Sequence, residues 1–194
     1  MPPPLQPGLS DRRPVKSLEG TARGYFAIGV EGVSKAVNLG NLLRSAHAFG
    51  ASFAFTIGAD ARAMDTVADT SKAPGHLPLY HWRSVAELNL PRGCRLVGIE
   101  LLDEAVDLPA FAHPPQAAYV LGRERGVLSP ELVARCHQIV RIPTSFSLNV
   151  ATAGAIVMYD RLRCHGRFAT RPVAGSAPPE PRAQHVQGGP RRRI

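Results

Sequence analysis

The chain has 194 residues, 44% of them hydrophobic, and a formal net charge of +8 at pH 7. That length is sufficient for one domain with a full core, and no apolar run reaches the roughly 20 residues needed to span a bilayer. The charge is uneven, because residues 161–194 carry eight Arg and one Glu while the rest is nearly neutral. A basic tail is compatible with a nucleic-acid partner, although many such tails only increase solubility.

Targeting and redox signals are few. The segment MPPPLQPGLSDRRPVK lacks the apolar centre of a secretory signal. Cys94, Cys136 and Cys164 have no CxxC spacing, and the seven His show no metal-ligand spacing. The composition therefore predicts a reduced, cytoplasmic protein with no metal site and no membrane partner.

The first third of the chain predicts a parallel unit. Residues 1–20 are rich in Pro and charge and are predicted to be disordered or loosely attached. GYFAIGV at 24–30 is typical of a buried strand, and NLGNLLRSAHAFG of a helix that Asn38 caps and Gly50 follows at the C′ position. The next strand, ASFAFTIG, begins at Ala51. A strand, a helix and a strand in succession indicate a βαβ unit.

The middle of the chain has weaker periodicity. Residues 60–82 are predicted to be irregular, apart from a short helix near 63–70. SVAELN at 84–89 has the composition of a short helix. CRLVGIE at 94–100 and AAYVLG at 117–122 are predicted to be strands, because both are short apolar runs rich in β-branched or aromatic residues.

The C-terminal part completes one domain. SPELVARC predicts a helix with Ser129 as its N-cap, HQIVRI is the last predicted strand, and the final helix runs from Asn149 to about Cys164. Residues 167–194 are rich in Pro, Gly, Ala and Arg and are predicted to be disordered. The pattern predicts an α/β domain over residues 21–166, with a mostly parallel sheet covered by helices on both faces.

Glycines and polar residues cluster after three of the strands. NLGNLLR contains Asn38 and Arg44, GRERG contains Gly122, Glu124 and Gly126, and IPTSFSLN precedes the last helix. The carboxyl ends of parallel strands meet at one edge and commonly bind ligands there. Singly, each segment has an ordinary explanation: a capped helix, a Gly-rich turn and a capping loop. Neither the dinucleotide fingerprint nor the P-loop spacing is present.

In this order and spacing, the three segments resemble the motifs of the SpoU/TrmH group of SPOUT RNA methyltransferases, over about residues 24–166. Members of that group transfer a methyl group from S-adenosylmethionine to a ribose 2′-hydroxyl of tRNA or rRNA. The resemblance implies the SPOUT fold with its deep C-terminal trefoil knot, and a homodimer with the site near the subunit interface. It implies RNA as the partner, with tRNA favoured over rRNA because the small architecture is similar to that of tRNA wobble-ribose methyltransferases.

The resemblance also implies the site residues. Arg44 would stabilise the developing alkoxide or clamp a phosphate, since a guanidinium is effectively always protonated and is a poor base. Asn38 and Glu124 would order the site, and Ser147 and Asn149 would hold the knot and the reacting groups. The cofactor would contact residues that follow three strands: Gly98, Ile99, Gly122, Gly126, Ile142, Pro143, Ser147 and Leu148. No metal ion is implied.

One departure from the family pattern leaves alternatives open. The second motif has one residue fewer between Glu124 and Gly126 than family members commonly have. A catalytically weak or inactive RNA-binding SPOUT protein is therefore the main alternative, and binding of S-adenosylmethionine separates the two. Methylation of a base nitrogen is disfavoured by Asn38, Arg44 and the S-L-N motif, which mark the ribose-modifying branch. A nucleotide-binding α/β protein of another kind is the remaining alternative.

Overall fold

The computed structural model describes residues 24–60, 77–123 and 126–166. The predictions for residues 1–20, for a helix near 63–70 and for the tail at 167–194 lie outside the described residues. Within the described ranges, no helix is both long enough and apolar enough to cross a membrane.

Seven strands form one sheet, and every strand pairing between described residues is parallel. In their order across the sheet, the strands are β3 (Leu79–Trp82), β2 (Phe53–Ile57), β1 (Tyr25–Glu31), β6 (Gln116–Leu121), β4 (Arg95–Ile99), β7 (Gln138–Arg141) and β5 (Val106–Asp107). The chain moves outward from β1 to β3 and then continues on the other side of β1, so β1 and β6 flank a topological switch point. The predicted parallel sheet is confirmed.

Helices cover both faces of this sheet, as predicted. The helices α1 (Ala36–Ala48) and α3 (Val150–His165) pack on one face with the strand residues of the larger core. A Cβ at Gly154 would lie 2.4 Å from Leu42 Cδ1, so glycine lets the two helices approach closely. The short helix α2 (Pro130–Arg135) covers the other face through Leu132.

The helix ends confirm most of the predicted caps. The Ser129 hydroxyl accepts a hydrogen bond from Leu132 N at 3.3 Å, and Asn149 Oδ1 accepts one from Ala151 N at 2.9 Å. Gly50 follows Phe49, the C-cap residue of α1, with a φ of 75°, a conformation that favours glycine. Each of these ends was predicted from local sequence because a cap depends on neighbours within one turn.

The prediction that Asn38 caps α1 is wrong. The helix begins at Ala36, after Lys35 as the N-cap residue, and the Lys35 side chain makes no capping hydrogen bond. Asn38 therefore lies inside the first turn. Its side chain contacts the start of α3 instead, a long-range interaction that local sequence does not indicate.

Two predictions for the middle of the chain are also corrected. Residues 79–82 form the edge strand β3 rather than an irregular segment. Residues 84–89 form two consecutive turns and no helix, with Glu87 N bonded to Ser84 O and Leu88 N bonded to Val85 O. The Arg135 guanidinium donates hydrogen bonds to the carbonyls of Val85 and Leu88, which helps to hold the turns against α2.

Candidate functional site

A cleft of about 310 Å³ opens at the carboxyl edge of the sheet. The ends of β4 and β6, the loop after β7 and the first turns of α1 and α3 form its walls. Eight residues named from the sequence line it: Asn38, Ile99, Gly122, Gly126, Ile142, Ser147, Leu148 and Asn149. The three motif segments, which are far apart in the sequence, therefore meet around one cavity.

Three other residues named from the sequence do not line the cleft, and a fourth is not described. Gly98 faces the opposite side of β4, where an added Cβ would lie 2.6 Å from Ile139 Cδ1. Pro143 is exposed in the loop after β7, and Arg44 is exposed on α1. Glu124 lies outside the described residues.

A hydrogen bond joins the first and third motif segments. Asn149 Nδ2 donates to Asn38 Oδ1 at 3.0 Å, and Asn149 Oδ1 accepts from Ala151 N. One amide side chain thus caps α3 and connects it to the first turn of α1. The cap determines which end of the Asn149 amide faces Asn38, because the oxygen is already used by the helix N-terminus.

The loop between β7 and α3 is held by its own polar side chains. The Thr144 hydroxyl lies 2.9 Å from Phe146 O and 3.3 Å from Ile142 O. Ile142 and Leu148, at the two ends of the loop, pack against the larger core, whereas the Phe146 side chain is 77% exposed. The polar residues therefore stabilise a compact loop. Its two ends pack against the core, and its tip faces solvent.

Glu100, which follows β4, was not named from the sequence. Its Oε1 accepts a hydrogen bond from Leu101 N and its Oε2 accepts one from Leu128 N, both at 2.9 Å. A Cβ at Gly122 would lie 2.7 Å from Glu100 Oε2, so a larger residue there would displace the carboxylate or the loop. Glu100 thereby connects the end of β4 to the β6–α2 loop. An acidic residue directly after a buried strand was the available signal.

The cleft contains side chains of both charges. Lys35 and Arg123 line it together with Glu100. Arg123 Nη2 lies 3.9 Å from Oε1 of Glu31, a buried carboxylate whose Oε2 accepts from Ser129 N at 2.8 Å. The carboxylate of Glu31 therefore connects the end of β1 to the start of α2.

A second polar cluster lies at the opposite, amino edge of β1 and β6. His113 is buried, with Nδ1 at 2.6 Å from Tyr119 Oη and Nε2 at 3.0 Å from Asp160 Oδ2. The buried Arg161 donates to Tyr119 Oη at 3.1 Å and to three backbone carbonyls.

Burial raises the pKa of Tyr119 to about 12. Burial also lowers the pKa of His113, with a hydrogen bond to Asp160 opposing the shift.

Folding brings possible metal ligands together in this second cluster although their sequence spacing does not suggest it. Ligand atoms of His113, Asp160 and Cys164 lie within 4.8 Å of one another. The His113 ring already has a partner for each nitrogen. His113 and Asp160 are therefore already joined to each other in a hydrogen-bond network.

A family model and a curated relative match the chain. The model described as "SpoU rRNA Methylase family" matches residues 25–159. A Mus musculus protein, "tRNA (guanosine(18)-2′-O)-methyltransferase TARBP1", is 27% identical over 145 residues, which cover 68% of this chain and 9% of that protein. The chain thus spans only a small part of the length of this curated relative.

Several solved structures have a fold similar to that of this chain. The AdoMet-bound rRNA methyltransferase from Sinorhizobium meliloti has a TM-score of 0.65 and 24% identity, and the match covers 74% of this chain and 57% of that one. A structure that concerns 2-OH methylation of C/U34 on tRNA has a TM-score of 0.62 and 22% identity. That match covers 73% of this chain and 97% of the other chain. These likenesses establish the α/β fold with its parallel sheet.

Proposed function

Because the chain belongs to the SpoU rRNA methylase family, we propose that it is an S-adenosylmethionine-dependent RNA methyltransferase that modifies a ribose 2′-hydroxyl of tRNA or rRNA. The observation that carries the proposal is the meeting of the three motif segments around one cleft, with Asn38 and Asn149 hydrogen bonded. These segments carry the residues that the family resemblance associates with ribose methylation.

The cleft is suited to the proposed cofactor. When bound, S-adenosylmethionine supplies a methyl group activated by its sulfonium. Ile99 and Leu148 offer apolar contact to an adenine ring, and Gly126 allows a ligand to approach the backbone. No described atom lies within 4 Å of a Cβ built at Gly126.

The charges of the cleft fit the amino-acid part of the same cofactor. Lys35 and Glu100 provide one positive and one negative side chain, which complement a zwitterion. The Glu100 carboxylate also favours a nearby cationic sulfonium by Coulomb attraction. The backbone donors that already engage Glu100 keep this carboxylate in one orientation.

The acceptor ribose would be positioned by the polar residues at the mouth of the cleft. Ser147 and Asn149 are exposed there, and Asn38 is held by Asn149. Glu124 would order the same region. Holding the hydroxyl in line with the methyl group supplies much of the acceleration in such a transfer, and Arg44 would stabilise the oxygen as negative charge develops.

We also propose a homodimer formed through α1 and α3. Three large apolar side chains are exposed on these helices: Val37 is 65% exposed, Ile156 36% and Tyr159 52%. Arg44 lies seven residues after Val37, hence on the same side of α1. Dimerisation through this surface would place Arg44 at the subunit boundary, close to a cleft. We further propose that the chain forms the deep trefoil knot of this family, with residues 142–148 as part of the knot.

RNA is the proposed partner, and tRNA is favoured over rRNA. The support is that the curated relative and one of the similar structures concern methylation of tRNA. Fold likeness alone does not select a substrate. Mapping of methylated riboses is therefore the experiment that distinguishes the two RNA classes.

Calorimetric titration with S-adenosylmethionine, and in parallel with S-adenosylhomocysteine, tests the proposal. We expect micromolar binding of both, followed by ribose methylation of tRNA that mass spectrometry detects. A folded protein that binds neither ligand would contradict the enzymatic function and favour an RNA-binding protein without catalysis. The shorter second motif makes this measurement decisive, because it lies in the proposed cofactor loop.

A further inference from the structure

A second cleft, of about 290 Å³, lies at the β2–β3 edge of the sheet. None of the described residues that line it also lines the cleft at the carboxyl edge of the sheet, which we call the cofactor cleft. The lining of the second cleft is mostly aromatic and apolar: Phe53, Tyr80, Trp82, Asn89, Leu90 and Pro91. We call it the aromatic cleft. Tyr80 and Trp82 alternate along β3 and so lie on the same side of the strand.

Two rings of the aromatic cleft are stacked nearly parallel, and a third ring stands at right angles to one of them. The planes of Tyr80 and Trp82 differ by 13°, with ring centroids 6.1 Å apart. Phe53 stands at 89° to Tyr80, with centroids 5.6 Å apart. Tyr80 remains 52% exposed, whereas Phe55, its register partner on β2, is buried. Phe55 thus contributes to the core, while much of the Tyr80 ring remains in contact with solvent.

The volume of the aromatic cleft suits a small flat ligand. It lies at the lower limit of the roughly 300–1,000 Å³ typical of small-molecule sites. The side chain of Asn89 supplies an amide donor and acceptor beside the rings. An exposed Tyr80 ring, already stacked with Trp82, beside one amide matches a single nucleobase, which needs a stacking partner and an edge contact.

The charges around the aromatic cleft favour an anionic chain. Arg92 follows Pro91 and is exposed, and the exposed Arg83 follows Trp82 but lines a separate neighbouring cleft. The nearby Glu87 carboxylate accepts a hydrogen bond from Arg83 N, so a backbone donor partly satisfies it. Exposed arginines beside stacked aromatic rings are the usual means of binding single-stranded nucleic acid, through phosphates and base faces.

We propose that the aromatic cleft binds an unpaired base of the RNA substrate by stacking on Tyr80 and Trp82. This inference rests on the proposed function, because it assumes that RNA is the partner. The cleft would hold a nucleotide other than the one that is methylated, since its lining residues are separate from those of the cofactor cleft. It would thereby contribute to the choice of RNA rather than to methyl transfer.

Trp82 is the only tryptophan of the chain, so its fluorescence reports on the aromatic cleft directly. We would titrate the full chain with a ten-nucleotide single-stranded RNA and follow the emission. Saturable quenching is expected. Tyr80→Ala should weaken RNA binding by about tenfold, within the range for loss of one base stack, while Tyr80→Phe should bind like the unmodified chain because it retains the ring.

Two controls separate the aromatic cleft from the rest of the protein. Affinity for S-adenosylmethionine should be the same in Tyr80→Ala, which also shows that the variant is folded. Val106→Ala, at the opposite sheet edge and 37% exposed, should leave RNA affinity unchanged.

The outcomes distinguish this inference from the proposed function. RNA binding that Tyr80→Ala does not weaken would overturn the stacking site and leave the methyltransferase proposal intact. A chain that binds no RNA would overturn both. If Tyr80→Ala changes only self-association in sedimentation, the cleft is a protein contact and the inference is wrong.

Discussion

Asn149 shows how one side chain can organise the candidate site. Its amide oxygen caps α3 and its amide nitrogen bonds to Asn38 on α1.

Arg44, on the same helix as Asn38, has a different position. Six residues of α-helix separate the two by about 120° around the axis, so Arg44 points away from the cleft lining and toward solvent. Its proposed role therefore depends on substrate or on a second subunit coming to it.

Replacement of Arg44 should affect chemistry without affecting the fold. Because Arg44 is exposed, we expect Arg44→Ala to change the free energy of unfolding by less than about 0.5 kcal/mol. The rate of methyl transfer should fall by about 100- to 1,000-fold, as when one donor to a developing oxyanion is lost. Arg95→Ala, an exposed arginine at the amino end of β4, is the matched control. Full activity of Arg44→Ala in a single-turnover assay would rule out the role.

His113 should make stability depend on pH. Burial, with smaller contributions from Arg161 and His165, lowers its pKa from the ordinary value of 6.5, although Asp160 opposes the shift. The unfolded chain therefore binds a proton that the folded chain does not, and stability is lost as the pH falls below about 6.5 toward the folded pKa. Urea unfolding between about pH 7.5 and 5 should show a shallower loss in His113→Gln than in the unmodified chain. Equal slopes would show that His113 does not contribute.

At the scale of elements, Glu100 connects the end of β4 to the loop between β6 and α2. Its carboxylate accepts backbone hydrogen bonds from Leu101 and Leu128, and it passes close to Gly122. The loop that would bind the cofactor is thus positioned by a neighbouring strand as well as by its own sequence. A change at Gly122 should therefore affect the loop and the strand end together.

Gly122→Ala should disturb this connection. The added Cβ would lie 2.7 Å from Glu100 Oε2 and 3.2 Å from Leu128 N, so the loop or the carboxylate must shift. We expect a loss of about 1–3 kcal/mol in stability and at least tenfold weaker binding of S-adenosylmethionine, measured by calorimetry. Gly40→Ala is the matched control for stability, since its Cβ meets no described atom within 4 Å; it should stabilise α1 by about 0.5–1 kcal/mol. Unchanged cofactor affinity in Gly122→Ala would contradict the proposed cofactor loop.

At the scale of the whole molecule, the order of the strands determines where the clefts lie. The switch point between β1 and β6 gathers the ends of several strands into the cofactor cleft, while the edge strand β3 carries the aromatic cleft. Both α1 and α3 cover the same sheet face and expose apolar side chains there. This surface is the proposed dimer contact.

A charge placed on that surface should separate the subunits. Tyr159 is 52% exposed on α3, and in a dimer an aspartate at this position would lose its hydration without gaining a partner. We expect Tyr159→Asp to weaken dimerisation at least tenfold in sedimentation experiments. Val106→Asp, at the sheet edge, should sediment like the unmodified chain. A Tyr159→Asp variant that remains fully dimeric would place the contact elsewhere.

The sequence by itself determined the features that depend on neighbouring residues. Strands β1, β2, β4, β6 and β7, the caps at Ser129 and Asn149, and the family follow from local periodicity and motif spacing. These features could be predicted because each cap or buried run needs only a few consecutive residues.

Only the tertiary structure decided the features that depend on long-range contact. Asn38 bonds to Asn149 instead of capping its helix, Glu100 lies against Gly122, and residues 79–82 become a strand by pairing with β2. The buried cluster of His113 and Arg161 was likewise not visible in the sequence. Each involves partners more than 20 residues apart, and composition and periodicity carry no information about which distant groups will meet.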